Sequence, residues 1–318
     1  MKRETATSKY FFLRPGALGD TLLCAPVLAA LRALDQAAWV ALAAQPAATA
    51  LLRDAGLVDL ALSQDDPRLA SLFGDAGPGE SLASLLGPVD YAMGWLADPE
   101  GAVSRNLGRL AGVRSAVAPS RPEPGGPHVA QHLASSLRLV GREYAHLPAP
   151  PLLFAAAGER AWAAQFLAPA LEGGRPLLAV HTGSGSRVKN WPGERFAAVV
   201  EAVAREFGVV LISGPADGDV VDGLAQLPPA PLTLARYLTV PRLAGVLVQC
   251  RAFLGNDSGV GHLAALLGLP VVSLFGPTDP AIWRPWGERV TVLSWAAGPE
   301  SLSVADVVAT VRQTAAGQ

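Results

Sequence analysis

The chain has 318 residues, of which 50% are hydrophobic and 16% are charged, and its formal net charge at pH 7 is −2. Such a composition supports packed cores for two domains of ordinary size and excludes an intrinsically disordered chain. The balanced charge and the lack of a basic run argue against nucleic acid as a partner. The chain has two cysteines, which lie far apart in the sequence. They argue against a disulfide framework and fit a reducing compartment.

The first apolar stretch, residues 10–13, is too short for the core of a signal peptide, and Arg14 interrupts it. The longest nearly apolar stretch, residues 261–276, includes a histidine, a glycine and a proline. It therefore indicates a buried helix and strand and not a membrane span. We expect a cytoplasmic protein, and weak attachment to the face of a membrane stays compatible with the sequence.

Predicted strands and amphipathic helices alternate along the chain. In the first half, strands are predicted at 10–14, 39–43, 91–95 and 115–117, and helices at 20–34, 46–55 and 128–140. In the second half, strands are predicted at 177–181, 209–213, 232–234, 252–255, 271–275 and 290–293, and helices at 157–167, 192–207, 219–226, 240–247 and 304–314. This alternation predicts parallel sheets covered by helices.

A proline-rich segment, residues 147–151, separates the two halves and has the composition of a linker. We therefore predict a first domain over 1–150, a second over 151–300 and a C-terminal helix within 301–318. Two such domains would enclose a cleft, and ligands of parallel sheets bind at the carboxyl ends of the strands.

The first candidate site follows the first predicted strand, where the sequence is Arg14-Pro-Gly-Ala-Leu-Gly-Asp20. Gly16 and Gly19 permit a tight turn there. The carboxylate of Asp20 either caps the following helix or acts as a general base, and the residues alone favour the cap. The spacing differs from the G-x-G-x-x-G fingerprint, so a dinucleotide site is poorly supported.

The second candidate site is the segment 181–189, which lies between a predicted strand and a predicted helix. The hydroxyls of Thr182, Ser184 and Ser186 alternate with glycines that let a ligand approach the backbone. Lys189 is one of three lysines in the chain and offers a point charge suited to phosphate. A flexible loop with an incidental lysine is the alternative, and the rarity of lysine favours binding. The Gly-Lys-Ser/Thr of a Walker loop is absent.

The third candidate site lies at 256–262, where a predicted strand gives way to a predicted helix. Small residues here leave the first N–H groups of the helix open to an anion. The residues of this segment are Asp257, Ser258, Gly259, Val260 and Gly261. His262 either bonds a ligand or is an ordinary buried histidine, and taken alone it favours the second interpretation.

A fourth feature, Gly214-Pro-Ala-Asp217-Gly-Asp219, follows another predicted strand. Two aspartates after an apolar strand can hold a divalent cation. They can also bind ribose hydroxyls, or simply form a polar turn and a helix cap. We favour the last two interpretations, and we predict neither a metal site nor a cofactor.

These motifs, in this order, resemble those of glycosyltransferase family 9, the bacterial heptosyltransferases and their relatives. The resemblance rests on Leu18-Gly19-Asp20, on residues 181–196 and on residues 255–280. It implies an α/β protein with the GT-B fold, in which two Rossmann-like domains have parallel sheets that face a central cleft. It also implies that the first domain binds the acceptor, that the second binds a nucleotide sugar, and that the C-terminal helix crosses back to the first domain.

The resemblance implies a role for each candidate residue. Asp20 matches the catalytic base, and Gly16, Leu18 and Gly19 lie in the loop on the acceptor side. Lys189 matches a phosphate-binding lysine that also stabilises the departing group.

The remaining matches concern the donor. The hydroxyls of Ser184 and Ser186 match a phosphate-binding loop, and the backbone of 257–261 matches the segment that holds the diphosphate. The backbone near Leu238 would face the base. Asp217 or Asp219 would meet the ribose, although the family often has a glutamate there.

The implied function is an inverting, metal-independent glycosyltransferase. It would move a sugar, heptose in the best-known reaction, from ADP-heptose or a similar donor to a hydroxyl of a glycan or of the lipopolysaccharide core. We expect a monomer in the cytoplasm, at most peripheral at the inner face of the inner membrane. The alternatives are a nucleotide-sugar epimerase of the same fold and a non-catalytic relative that binds nucleotide sugars, for which Asp20 would be dispensable.

Overall fold

The computed structural model describes residues 7–144, 146–214 and 232–317. The chain divides into two compact units, Met1–Pro148 and Ala149–Gln318. Each unit contains one sheet whose strands pair only in parallel. The predicted α/β class with two parallel sheets is therefore confirmed. Among the helices that the structure describes, none is both long enough and apolar enough to cross a membrane.

The first unit has a five-stranded sheet in the order β3-β2-β1-β4-β5. Its strands are β1 Lys9–Arg14, β2 Trp39–Ala44, β3 Leu60–Ser63, β4 Val89–Trp95 and β5 Ala111–Ala118. Its helices are α1 Leu18–Leu22, α2 Ala25–Leu34, α3 Pro46–Asp54, α4 Glu80–Leu86, α5 Ala102–Leu110 and α6 Val129–Ser136. The central strand β1 is almost entirely buried, as expected for an apolar strand that helices cover on both faces.

The first unit differs from the sequence prediction in two respects. The helix predicted at 20–34 is two helices, α1 and α2, because Pro26 at the start of α2 lacks the N–H that a continuous helix needs. The elements β3, α4 and α5 were not predicted. Helix α5 begins where the Asp98 carboxylate accepts hydrogen bonds from the N–H groups of Val103 and Ser104, at 3.1 and 2.8 Å.

The second unit has a six-stranded sheet in the order β11-β10-β9-β6-β7-β8. Its strands are β6 Leu177–His181, β7 Gly208–Ser213, β8 Leu232–Arg236, β9 Ala252–Asn256, β10 Val271–Phe275 and β11 Val290–Ser294. Its described helices are α7 Ala157–Leu171, α8 Gly193–Val203, α9 Val240–Leu247, α10 Gly259–Leu266, α11 Pro280–Trp283 and α12 Val304–Ala316. The helix predicted at 219–226 lies outside the described residues.

The C-terminal helix α12 packs on the sheet of the second unit. Its buried side chains belong to the same hydrophobic core as β6 and β9, and they are Val307, Val308, Val311 and Ala315. On its outer side the Arg312 guanidinium bonds the Glu206 carboxylate at 2.6 Å. That this helix crosses back to the first domain stays a prediction.

In each sheet the strand order reverses direction at one point. The reversal lies between β1 and β4 in the first unit and between β6 and β9 in the second. Ligands of such sheets bind at the carboxyl ends of the two strands that flank this point. In the second unit these ends are level, because His181 pairs with Gly255 in the register of β6 and β9.

Replacing Gly245 with alanine should destabilise the second unit. A Cβ on Gly245 of α9 would lie 2.5 Å from the Glu159 carbonyl oxygen of α7, and such overpacking costs about 1–3 kcal/mol. This loss exceeds the gain in helix propensity of at most about 1 kcal/mol. Urea unfolding followed by far-UV circular dichroism measures the effect.

The matched control is Gly158→Ala in α7, because no described residue beyond its neighbours along the helix lies within 4 Å of the added Cβ. This variant should be as stable as the natural chain or slightly more stable. Equal unfolding midpoints for the two alanine variants would contradict the close approach of α7 and α9.

Candidate functional site

The reversal point of the second sheet brings together two segments of candidate residues. Residues 181–191 comprise the last residue of β6 and the loop after it, and residues 256–261 run from the last residue of β9 into the first turn of α10. We call these two segments the strand-end site. Because β6 and β9 are hydrogen-bonded neighbours, both segments emerge at the same edge of the sheet.

Helix α10 begins at this edge with an N-terminus suited to an anion. Ser258 is the N-cap, and its Oγ accepts a hydrogen bond from the Gly261 N–H at 3.4 Å. The same oxygen lies 3.2 Å from Nδ1 of His181 at the end of β6. The other N–H groups of the first turn, including those of Gly259 and Val260, have no acceptor within the helix. Their partial positive charge favours a bound anion.

Lys189 meets Asp257 in the strand-end site. The Lys189 ammonium lies 3.0 Å from Oδ2 of Asp257, and the Thr278 hydroxyl donates to the same oxygen at 2.8 Å. Asp257 is 5% exposed, whereas the Lys189 side chain keeps 22% of its surface in solvent. The charge predicted to hold phosphate is thus present at the helix terminus, already paired with a carboxylate.

The hydroxyl groups of the first segment differ in their surroundings. The Ser184 Oγ lies 2.6 Å from Oδ1 of Asn190 and 2.7 Å from the Ser186 carbonyl oxygen, so it shapes the loop. Ser186 is exposed. The Thr182 hydroxyl is buried and has no hydrogen-bond partner in the part of the chain that the structure describes. A ligand at this edge could satisfy it.

Asn256, the last residue of β9, was not among the predicted site residues. Its Oδ1 accepts a hydrogen bond from the Trp191 N–H at 3.0 Å, and its Nδ2 donates to the Thr182 carbonyl at 2.7 Å. Asn256 is fully buried. It therefore joins the two segments of the strand-end site.

The other predicted donor contacts lie apart from these residues or outside the structure. His262 is buried within α10. Leu238 follows β8, next to Tyr237, which has a φ of 50° and donates its N–H to the Ser213 carbonyl at 3.0 Å. Asp217 and Asp219 lie outside the described residues, so their contact with ribose stays a prediction.

In the first unit, Asp20 lies at the corresponding reversal point, just after β1. It is the third residue of α1, and its Oδ2 accepts a hydrogen bond from the Ala17 N–H at 2.9 Å. Its Oδ1 pairs with the Arg14 guanidinium at 3.1 Å, and the Asp20 side chain is 27% exposed while Arg14 is 2% exposed. Asp20 thus caps the helix and still presents its carboxylate to solvent, so capping does not exclude a role as a base.

The turn before α1 is shaped around this carboxylate. Leu18 and Gly19 are the first two residues of α1. The Gly16 N–H donates to Oε1 of Gln64 at 2.9 Å. A Cβ on Gly16 would lie 2.8 Å from Cβ and 2.9 Å from Oδ2 of Asp20, so only glycine lets Asp20 approach this closely.

Cys24 lies directly behind Asp20. Its Sγ is 3.8 Å from the Asp20 carbonyl oxygen. Burial raises the pKa of the Cys24 thiol to about 12, so the thiol stays protonated and is a poor nucleophile. Within 7–144, 146–214 and 232–317, no three His, Cys, Asp or Glu side chains are grouped so that they could hold a metal ion.

The chain is similar to known proteins in sequence and in fold. A family model, glycosyltransferase family 9 (heptosyltransferase), matches residues 127–305. Lipopolysaccharide heptosyltransferase 3 of Escherichia coli is 40% identical over 114 residues, which are 34% of this chain and 33% of that protein. The matched region thus spans about a third of the length of the first curated relatives.

Solved structures match over almost the whole chain. The glycosyl transferase family 9 protein from Veillonella parvula DSM 2008 has a TM-score of 0.80 at 18% identity, with 98% of each chain covered. The ADP-heptose lipopolysaccharide heptosyltransferase II of E. coli has a TM-score of 0.73 at 19% identity, with 97% of this chain and 98% of that chain covered. The motif-based resemblance and the GT-B fold that it implies are confirmed.

Replacing Asp257 with asparagine should strengthen the binding of inorganic pyrophosphate about fivefold. The carboxylate competes with an anion for Lys189, and removing one nearby charge is worth about 1 kcal/mol or more. Asparagine still bonds Thr278, so the turn should persist. Titration calorimetry at two salt concentrations measures the affinity, and the gain should shrink at high salt.

Two further variants complete this test. Lys189→Met should weaken pyrophosphate binding, because it removes the cation. Asp279→Asn, on an exposed residue whose side chain caps α11, should leave the affinity unchanged. Weaker or equal binding by the Asp257→Asn protein would contradict the competition between Asp257 and an anion.

Proposed function

The chain belongs to glycosyltransferase family 9 (heptosyltransferase), and we propose that it moves a sugar from a nucleoside-diphosphate sugar to a hydroxyl group of a glycan or of the lipopolysaccharide core. The observation that carries this proposal is the strand-end site, where the N-terminus of α10 and Lys189 converge. Backbone N–H groups and a single ammonium form a site of positive potential that suits a diphosphate.

We infer that heptose is the transferred sugar and ADP the nucleotide. Two relatives support this choice by name, the lipopolysaccharide heptosyltransferase 3 and the ADP-heptose lipopolysaccharide heptosyltransferase II of E. coli. The base and the ribose would lie beyond the diphosphate along the carboxyl edge of the sheet. Leu238 is the residue proposed to face the base, and Asp217 or Asp219 the residue proposed to meet the ribose.

Asp20 is the proposed general base. Its carboxylate is oriented from two sides, by the Ala17 N–H and by the Arg14 guanidinium, and it keeps part of its surface exposed. A carboxylate held in one orientation can accept the proton of an acceptor hydroxyl with little reorganisation. The first unit therefore supplies the acceptor side of the proposed reaction.

The proposed reaction is a single displacement. The acceptor hydroxyl gives its proton to Asp20, and its oxygen forms a bond to the anomeric carbon of the donor sugar. The bond between that carbon and the diphosphate oxygen breaks, and its electron pair leaves with the nucleoside diphosphate, so the configuration inverts. Lys189 and the N-terminus of α10 stabilise the growing negative charge on the departing diphosphate. Because these groups supply the positive charge, we expect transfer to proceed without a divalent cation.

The donor is tested by thermal unfolding in the presence of ADP, UDP, GDP, CDP and ADP-heptose, each with and without Mg²⁺. A ligand at a hundred times its dissociation constant adds about 2.7 kcal/mol of stability, which raises the melting temperature measurably. We expect a rise with ADP, a larger rise with ADP-heptose, and no dependence on Mg²⁺. A rise with UDP or GDP alone would mean that the donor carries that nucleotide and not ADP. If no nucleotide raised the melting temperature, the proposed diphosphate site would be contradicted.

The base is tested with Asp20→Asn. This variant should lose at least about a hundredfold in the rate of sugar transfer, because the amide cannot accept the proton, while its affinity for ADP stays within twofold. Transfer from ADP-heptose to a heptose-deficient lipopolysaccharide core, followed by mass spectrometry, measures the rate.

Asp54→Asn is the matched control, since Asp54 is an exposed carboxylate of the first unit whose ion-pair partner among the described residues is Arg53, and it should transfer normally. Full activity of Asp20→Asn would contradict its role as base. Donor binding without transfer by the natural chain would favour the non-catalytic alternative, and isomerisation of the bound sugar would favour the epimerase.

A further inference from the structure

A single buried amide bonds both ends of the loop that carries the candidate phosphate ligands. Asn256 accepts a hydrogen bond from the N–H of Trp191 and donates one to the carbonyl of Thr182. Thr182 and Trp191 bracket the segment 183–190, which contains Ser184, Ser186 and Lys189. The two bonds therefore close the loop against the end of β9.

The amide of Asn256 matches both of its partners. One end of the loop offers a donor and the other an acceptor, so the side chain must provide both functions. These partners also settle which side-chain atom is oxygen and which is nitrogen. Asn256 is fully buried, and Thr182 and Trp191 are 2% and 1% exposed, so water has little access to replace either bond. Loss of one bond would leave a buried polar group unsatisfied.

The two ends of the loop are fixed, whereas its middle faces solvent. The Trp191 ring packs edge-on against Phe196, with centroids 5.4 Å apart. Between the ends, Val188 is 71% exposed, and Arg187 is also exposed. An apolar side chain this exposed contributes little to holding the loop, so the loop is held by its two ends and by the ion pair of Lys189 with Asp257.

Asn256 is also adjacent in sequence to the other half of the strand-end site. Asp257, the next residue, pairs with Lys189, and Ser258 caps α10. The backbone of β9 thus leads directly into the helix N-terminus, while the side chain of Asn256 on the same strand bonds both ends of the loop. Asn256 connects both to one rigid strand.

We propose that Asn256 is a positioning residue that holds residues 183–190 beside the N-terminus of α10, so that Lys189 and the first-turn N–H groups act on the same diphosphate. Its effect on nucleotide binding rests on the function proposed above. Its effect on the loop does not, because the two hydrogen bonds are a property of the protein alone.

Limited proteolysis tests the loop directly. Trypsin cleaves after arginine and lysine, and Arg187 and Lys189 are the two such residues between the ends of the loop. Asn256→Ala should be cleaved at these two bonds at least tenfold faster than the natural chain, with unchanged rates elsewhere. Asn256→Asp keeps the volume and the acceptor for Trp191 but places an oxygen against the Thr182 carbonyl, and it should also be cleaved faster. Mass spectrometry identifies the cleaved bonds.

The matched control is Asn106→Ala in the first unit. Asn106 is 1% exposed, and its Nδ2 donates to the carbonyls of Leu72 and Gly74, so this variant also loses a buried amide that bonds a loop. It should be destabilised without faster cleavage after Arg187 or Lys189. If Asn106→Ala accelerated cleavage after Arg187 and Lys189 equally, the effect would come from general destabilisation, and the proposal would be overturned.

ADP affinity is the second measurement, by titration calorimetry. The Asn256 variants should bind ADP at least tenfold more weakly, whereas Asn106→Ala should bind it normally. Unchanged cleavage together with unchanged ADP affinity would overturn the positioning role of Asn256. If the natural chain itself bound no nucleoside diphosphate, the proposed function would fail, and the cleavage rates would still decide whether Asn256 holds the loop.

Discussion

A helix that begins directly after a central strand brings the positive end of its dipole to the edge of the sheet, because the N–H groups of its first turn have no acceptors within the helix. In the second unit this helix is α10, and the parallel register of β6 and β9 puts the loop after β6 at the same edge. The candidate contacts to the diphosphate that the structure describes depend on this geometry. The small residues after Ser258 keep the helix terminus accessible. Lys189 on the loop pairs with Asp257 just before this terminus, and Asn256 is the last residue of the strand.

The ion pairs at the reversal points of the two units differ in which partner is buried. In the first unit the cation Arg14 is buried beneath the partly exposed Asp20. In the second unit the carboxylate of Asp257 is the buried partner, and the cation Lys189 is the more exposed one. Separating a buried ion from its partner is strongly unfavourable. Both ion pairs are therefore suited to persist. Arg14 orients Asp20, whereas the partly exposed Lys189 can contact an incoming anion while it stays beside Asp257.

Much of the architecture could be predicted from local patterns. Strands β6 and β10 match their predicted ranges, because each is a short apolar run that ends in polar or small residues. Strand β3 was not predicted because it has only four residues and is mostly half-buried. Helix α5 was not predicted because Asp98, the residue that caps it, lies several residues before its first turn. The candidate anion site was predictable for the same local reason, since glycines, hydroxyls and a rare lysine stand beside strand ends. The role of Asn256 was not, because its partners lie 65 and 74 positions away in the chain, where no periodic pattern reaches.

The scarcity of lysine has a practical consequence for chemical labelling. The sequence contains three lysines, and Lys189 is the one that falls within Ala149–Gln318. An amine-selective acylating reagent can therefore react with a single side-chain amine in that half of the molecule. The nucleophile it would find is the same nitrogen that lies 3.0 Å from Asp257. The extent of acylation at this one position thus becomes a direct reporter of whether the ion pair is closed, opened or occupied by an anion.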